Sequence, residues 1–75
     1  MDYKDYIESN SDVMLGKPVV KGTRITVALV LKKLSEGASF EDIIVAYPNL
    51  TQISIRAVLA YASDVASNET LIAAA

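Results

Sequence analysis

Neither cysteine nor histidine occurs anywhere in the 75 residues of this chain. A domain this small buries only about 60% of the surface its unfolded chain exposes, so its core is marginal alone. Chains of this size lean on disulfides, a metal or a partner. Without thiols there is no disulfide framework, and without thiolate or imidazole the usual zinc sites are closed. Of the three supports only a partner chain remains, so a homodimer or an obligate complex is expected. The same absence bears on catalysis. No Ser–His or Cys–His pair is available, nor an imidazole to move protons near neutral pH. Asp2, Asp5, Glu8 and Asp12 fall in a polar leading segment expected to be solvated, and Glu41 and Asp42 are adjacent, so they do not face one another across a cleft. An enzyme is not expected, and neither a cofactor nor a small-molecule substrate is implied.

The amino terminus is acidic and polar, unlike a signal peptide. Apolar runs such as Val27 to Leu31 fall far short of the roughly 20 residues that cross a bilayer. A cytoplasmic location without membrane contact is the expectation.

The net charge of −2 hides a segregated distribution. Residues 1–12 carry −3, residues 13–35 carry five bases and no acid, and residues 36–75 carry −4. The central bases are Lys17, Lys21, Arg24, Lys32 and Lys33. Such a block is the footprint expected where a phosphate backbone is held, and it is equally what a solvated surface carries. The acidic total argues that a monomer binds DNA weakly, since affinity scales with phosphates neutralised.

The chain divides into a leading segment (1–12), a hairpin plus three helices (13–67) and a tail (68–75). Ser9-Asn10-Ser11-Asp12 reads as a turn cluster that closes an irregular or weakly extended leader. Two short apolar runs follow, Val13-Met14-Leu15 and Pro18-Val19-Val20, linked by Gly16-Lys17, and are expected to form a β-hairpin. An isolated hairpin is marginal, so it must pack on helices or pair with another chain, which would make a natural dimer seam.

The first helix is expected from Val27 to Ser35 with Thr26 as N-cap. Val27, Val30, Leu31 and Leu34 give its apolar face, and Ala28 and Leu29 widen it, as in a helix buried on more than one side. Lys32 and Lys33 complement its carboxyl end, or else contact phosphate, and Gly37 terminates it. Ser39 caps the second helix with Asp42 three residues on, and Pro48 stops it. Thr51 caps a third helix running to about Ser67, its apolar face being Ile55, Val58, Leu59, Ala62, Val65 and Ala66. Two helices joined by a short turn and preceded by a supporting helix fit the tri-helical helix-turn-helix plan.

On that plan the polar start of the third helix faces base edges: Thr51, Gln52, Ser54 and Arg56. Gln bonds adenine bidentately and Arg does so to guanine, each worth roughly 1–3 kcal/mol of discrimination. The same residues also read as a cap, first-turn polar residues and a solvated Arg. Arg56 is the strongest candidate, being the only base of the carboxyl-terminal half.

One stretch is more distinctive than any periodicity. Gly16-Lys17-Pro18-Val19-Val20-Lys21-Gly22-Thr23-Arg24-Ile25-Thr26-Val27 resembles the signature of the bacterial and archaeal family called domain of unknown function 433. The resemblance continues through Gly37, Ser39 and Ile43, a Tyr-Pro-x-Leu-Thr segment at Tyr47, Pro48, Leu50 and Thr51, and an Ala-rich helix with Ala57, Leu59, Tyr61 and Ala62. It covers about residues 6–62. It implies a mainly α, homeodomain-like three-helix fold with a short amino-terminal β element. Some relatives act as VapB-type antitoxins, bound to a PIN-domain ribonuclease toxin and repressing their own operon. The resemblance therefore implies one surface for operator DNA and one for a toxin, with Leu71 and Ile72 of the tail as candidates for the second.

Within the motif, Gly22 is expected to support a turn and Thr23 to bond its own backbone. Arg24 is expected to fasten the hairpin to helix carbonyls or to acids such as Asp42, in preference to contacting DNA. Two functions stay open: a dimeric DNA-binding regulator of the antitoxin type, and a protein-interaction module that never touches DNA.

Overall fold

A computed structural model describes residues 1–68 of the chain. A 3-10 turn at Tyr3–Asp5 leads into strand β1 (Ile7–Glu8). A second 3-10 segment at Met14–Gly16 precedes strand β2 (Val19–Val20), and helices α1 (Val27–Ser35), α2 (Phe40–Ala46) and α3 (Gln52–Ser67) follow. The fold is mainly α, with three helices and a short antiparallel two-stranded sheet near the amino terminus. Among the described residues no helix is long and apolar enough to cross a membrane.

The helices start where side chains satisfy the orphan amides of their first turns. Thr26 Oγ1 accepts from the Leu29 N–H at 3.1 Å. Ser39 Oγ accepts from the Asp42 N–H at 3.0 Å, and the Asp42 carboxylate accepts from the Ser39 N–H at 2.9 Å, a reciprocal capping box. Those bonds hold the Asp42 carboxyl below the usual carboxylate range, the Ser39 backbone amide being the largest cause.

The hairpin differs from the expected one. Its strands are Ile7–Glu8 and Val19–Val20, with Ile7 opposite Val20 and Glu8 opposite Val19. Val13 is extended and makes a single antiparallel bridge to Asn10, but the run goes no further as a strand because the backbone turns left-handed after it. Met14, Leu15 and Gly16 have φ of +50°, +58° and +80° in succession. The first strand comes instead from the leading segment. Residues 1–12 therefore belong to the packed domain: Ile7 is a core residue, and Tyr3 and Tyr6 pack against that core. The turn cluster behaves as read, with the Asp12 N–H donating to Asn10 Oδ1 at 2.8 Å.

β2 is flanked on its other side by the chain that enters α1. Val20 N–H donates to the Ile25 carbonyl and Val27 N–H to the Pro18 carbonyl, at 2.9 and 3.0 Å. The largest fully buried side chains are Val19, Val30, Ile43, Leu50, Ile55 and Val58. Every helix, the sheet and the α2–α3 turn thus contribute to one core. Leu50 is the turn's contribution, and it fixes how α3 leaves α2.

Two helical faces are narrower than their sequence pattern. In α1 only Val27 and Val30 are buried, and Ala28 is exposed, so the helix is covered on one side. In α3 burial stops early: Ser54, Ile55, Ala57 and Val58 are buried, whereas Leu59, Val65 and Ala66 are exposed. Length accounts for this. α3 has 16 residues, about 24 Å, against the 9 and 7 residues of α1 and α2, about 14 and 10 Å. Its second half overhangs the helices that would cover it.

Candidate nucleic-acid interface

α3 begins with a hydroxyl-only version of the capping box. Thr51 Oγ1 accepts from the Ser54 N–H at 3.1 Å, and Ser54 Oγ accepts from the Thr51 N–H at 2.8 Å. Ser54 also donates to the Thr51 carbonyl at 2.9 Å. These bonds use up the Ser54 hydroxyl, and only 6% of the residue is exposed. Ser54 is therefore a buried half of a cap and not a base-reading residue, contrary to expectation. A polar residue buried at the N3 position of a helix is a cap by chemistry, and Thr51 three residues earlier was the available signal.

Gln52 and Arg56 remain on the outside, both exposed, one helical turn apart on a shared face. Thr51 is exposed beside them, although its hydroxyl is engaged in the cap. Ile53, half-exposed at the start of the same helix, joins this surface. Its sequence setting gives no sign of this, because Ile53 lies off the apolar face of α3 and is not a polar group. A planar guanidinium, a carboxamide and an apolar group on one face supply the donors, acceptors and methyl contact that base edges in a major groove require.

The cationic block is placed less pointedly. Lys17, Lys21, Arg24 and Lys32 are exposed and Lys33 is half-buried. Lys32 and Lys33 stand in the last turn of α1, a placement that the helix dipole accounts for without a phosphate.

The Gly-Thr-Arg motif is a turn. Gly22 has φ +79°, and the Thr23 N–H donates back to the Val20 carbonyl at 3.0 Å. Lys21 is not left-handed, so glycine occupies the one position of this four-residue turn that demands positive φ. Thr23 Oγ1 donates to the Val20 carbonyl at 2.8 Å and accepts from the Ile25 N–H at 3.0 Å. Arg24 departs from expectation. Its side chain is exposed, and among the described residues it makes no hydrogen bond or ion pair with Asp42. The Asp42 carboxylate is already committed to the amide of Ser39. Leu71 and Ile72 lie outside the described residues.

Further surface features carry no sequence signal of their own. The left-handed turn presents Leu15 at 92% exposure, and α2 presents Val45 at 81%. Residues 1–4 border an open cleft together with Ala60, Ser63, Asp64 and Ser67 of α3. There the Tyr3 ring meets Tyr61 edge to face, centroids 5.5 Å apart, and the Tyr3 hydroxyl donates to the Asp64 carboxylate. That hydrogen bond, more than burial, pushes the Tyr3 phenol up.

Comparison with known proteins agrees with this fold. A crystal structure of a DUF433 member protein from Anabaena variabilis ATCC 29413 superposes with a TM-score of 0.79 at 23% identity, over 85% of this chain and 63% of that one. The fold is thus shared. Uncharacterized protein y4eO of Sinorhizobium fredii (strain NBRC 101917 / NGR234) is 36% identical over 59 residues, which are 79% of this chain. The matched region spans 27% of that relative's length. The profile of the family described as Protein of unknown function (DUF433) matches residues 7–62, so the chain belongs to the DUF433 family.

Proposed function

We propose that this domain is a DNA-binding regulator of the antitoxin type, reading operator DNA with the first turns of α3. The observation that supports it best is the pairing of Gln52 and Arg56, exposed on one face while the opposite face anchors α3 in the core. On this reading Thr51 lies near a phosphate, and the exposed bases of residues 17–32 add sequence-independent attraction. The domain works as a cytoplasmic homodimer, because two copies double the phosphates neutralised by an acidic chain. It needs no metal, cofactor or small-molecule substrate and catalyses nothing. A PIN-domain ribonuclease is its toxin partner, engaged by a surface separate from α3.

The test is binding to duplex DNA from upstream of its own gene, followed by fluorescence anisotropy between about 50 and 200 mM salt. The expected result is affinity that falls linearly with salt on logarithmic axes and exceeds that for unrelated duplex. Absence of binding, or binding indifferent to salt, overturns the reading.

Leu15 favours a second reading, a protein-interaction module that never touches DNA. A leucine 92% exposed on a left-handed turn is an expensive way to display an apolar side chain. This reading expects Leu15→Ser to abolish co-purification with the product of an adjacent small open reading frame while the fold is kept. Retained co-purification contradicts it.

A further inference from the structure

Antiparallel strands alternate between residue pairs that exchange hydrogen bonds and pairs that do not, so backbone groups point alternately towards the partner strand and away from it. The register fixes which way each residue of β1 points. The Lys21 N–H donates to the Tyr6 carbonyl at 2.7 Å, and Glu8 stands opposite Val19, so Tyr6 and Glu8 face β2. Ile7 is opposite Val20 in a non-bonded pair, and the Val20 N–H turns the other way, to the Ile25 carbonyl. The N–H and C=O of Ile7 therefore point off the outer edge of β1. Carried one residue past the strand, the same register sets Ser9 opposite Pro18, whose carbonyl is turned away to the Val27 N–H. The N–H and C=O of Ser9 thus point off the same edge. Among the described residues none of these four groups has a hydrogen-bond partner, and no strand lies beyond β1. Ile7 is nonetheless a core residue with only 9% of its surface exposed. Backbone groups on so buried a residue are costly to leave unpaired.

We propose that the outer edge of β1 docks an extended segment of a partner protein, which adds as a further strand and sets a lysine or arginine opposite Glu8. Both readings above give the domain a protein partner; the inference rests on that much and assigns how the partner is held. The backbone selects the form of the contact. A donor and an acceptor on Ile7, repeated on Ser9, are what one antiparallel strand needs to complete a ladder. Charge selects the occupant. Residues 1–12 carry −3, with Asp5, Glu8 and Asp12 spaced along the segment, so a basic strand is attracted. A second copy of this chain is the wrong occupant. The antiparallel two-fold register that pairs all the free groups sets the two Glu8 side chains directly against each other, and like charges so placed destabilise a ladder. A cation at that position reverses the sign. The edge is also short, bounded by the 3-10 turn at Tyr3–Asp5 and by the turn in which the Asp12 N–H donates to Asn10 Oδ1. Only a few partner residues enter the ladder, so the pairing with Glu8 carries the selectivity.

The probe is a short end-capped peptide of alternating valine and threonine with lysine at its centre, compared with the same peptide carrying glutamate there. Amide chemical shifts and hydrogen exchange in the full chain locate the contact. The lysine peptide is expected to bind the native chain about three- to tenfold more tightly than the glutamate peptide, and to protect the Ile7 and Ser9 amides. Glu8→Lys is expected to reverse that order. Ser9→Pro removes one edge donor outside the core and is expected to weaken binding of the lysine peptide by about three- to tenfold. Helical circular dichroism verifies each fold, and should Ser9→Pro fail to fold, Glu8→Lys carries the comparison. No binding, equal affinity for the two peptides, or protection confined to other amides overturns the proposal. Self-association of the native chain that protects Ile7 and Ser9 also overturns it, giving the edge to a second copy. DNA binding by the same proteins is read separately. If the native and Ser9→Pro chains bind DNA alike while the peptide fails, this inference alone falls. Peptide binding without DNA binding leaves the edge standing and strikes the DNA reading.

Discussion

Thr23 shows what a single side chain does in this fold. Its hydroxyl donates to the Val20 carbonyl and accepts from the Ile25 amide, closing the turn that returns the chain from β2 towards α1. Thr23→Val keeps the shape and loses both bonds, at a cost of about 1–3 kcal/mol in denaturant unfolding, whereas Thr23→Ser stays near the parent. Gly22 beside it is required by its φ of +79° and not by crowding, since a Cβ there meets nothing within 4 Å. Gly22→Ala is accordingly expected to cost about 1–2 kcal/mol through backbone strain alone. Two ionisable residues give the stability a pH signature. Asp42 titrates below its unfolded value of about 3.9, so its contribution is present above that pH and is lost as pH falls through the lower folded value. Tyr3 titrates above its unfolded value of about 10, so its contribution is present below that pH and is lost as pH rises through the folded value. Absorbance titration is expected to show one of the four tyrosines ionising late, and Tyr3→Phe to remove that late component.

At the scale of elements, the helices were legible because their ends carry local chemistry. Thr26, Ser39 and Thr51 each accept an amide three residues on, so the start of every helix is written in a cap and needs no tertiary information. The hairpin was not legible in the same way. Apolar runs at Val13–Leu15 and Pro18–Val20 look like neighbouring strands, but pairing is decided by which partner also reaches the core. Ile7 does, and the left-handed backbone at Met14 and Leu15 removes the competitor. The buried extent of α3 escaped for a related reason. Apolar spacing gives the face of a helix, but the lengths of its neighbours decide how much of that face is covered. At the candidate site, Gln52 and Arg56 are exposed, while Ser54 proves to be half of a cap, a choice its sequence leaves open because a capping hydroxyl and a base-reading hydroxyl look alike there.

At the scale of the whole molecule, one small core joins all these parts, and Leu50 ties the α2–α3 turn into it. Leu50→Ala is expected to cost about 2–5 kcal/mol, comparable with the total stability of so small a domain, so thermal melting of that variant should begin near ambient temperature. A marginal core also gives a partner large leverage, since whatever binds only the folded state raises its melting temperature by mass action. The central claim is that the outer face of α3, and not its cap, reads DNA. Affinities of Arg56→Ala and Ser54→Ala for duplex from upstream of the chain's own gene, each corrected for the fraction folded, test it most directly. The account predicts that Arg56→Ala weakens binding about tenfold and flattens the preference over unrelated duplex, while Ser54→Ala lowers stability by about 1 kcal/mol and leaves the corrected affinity unchanged. Equal affinities for Arg56→Ala and the native chain would contradict it.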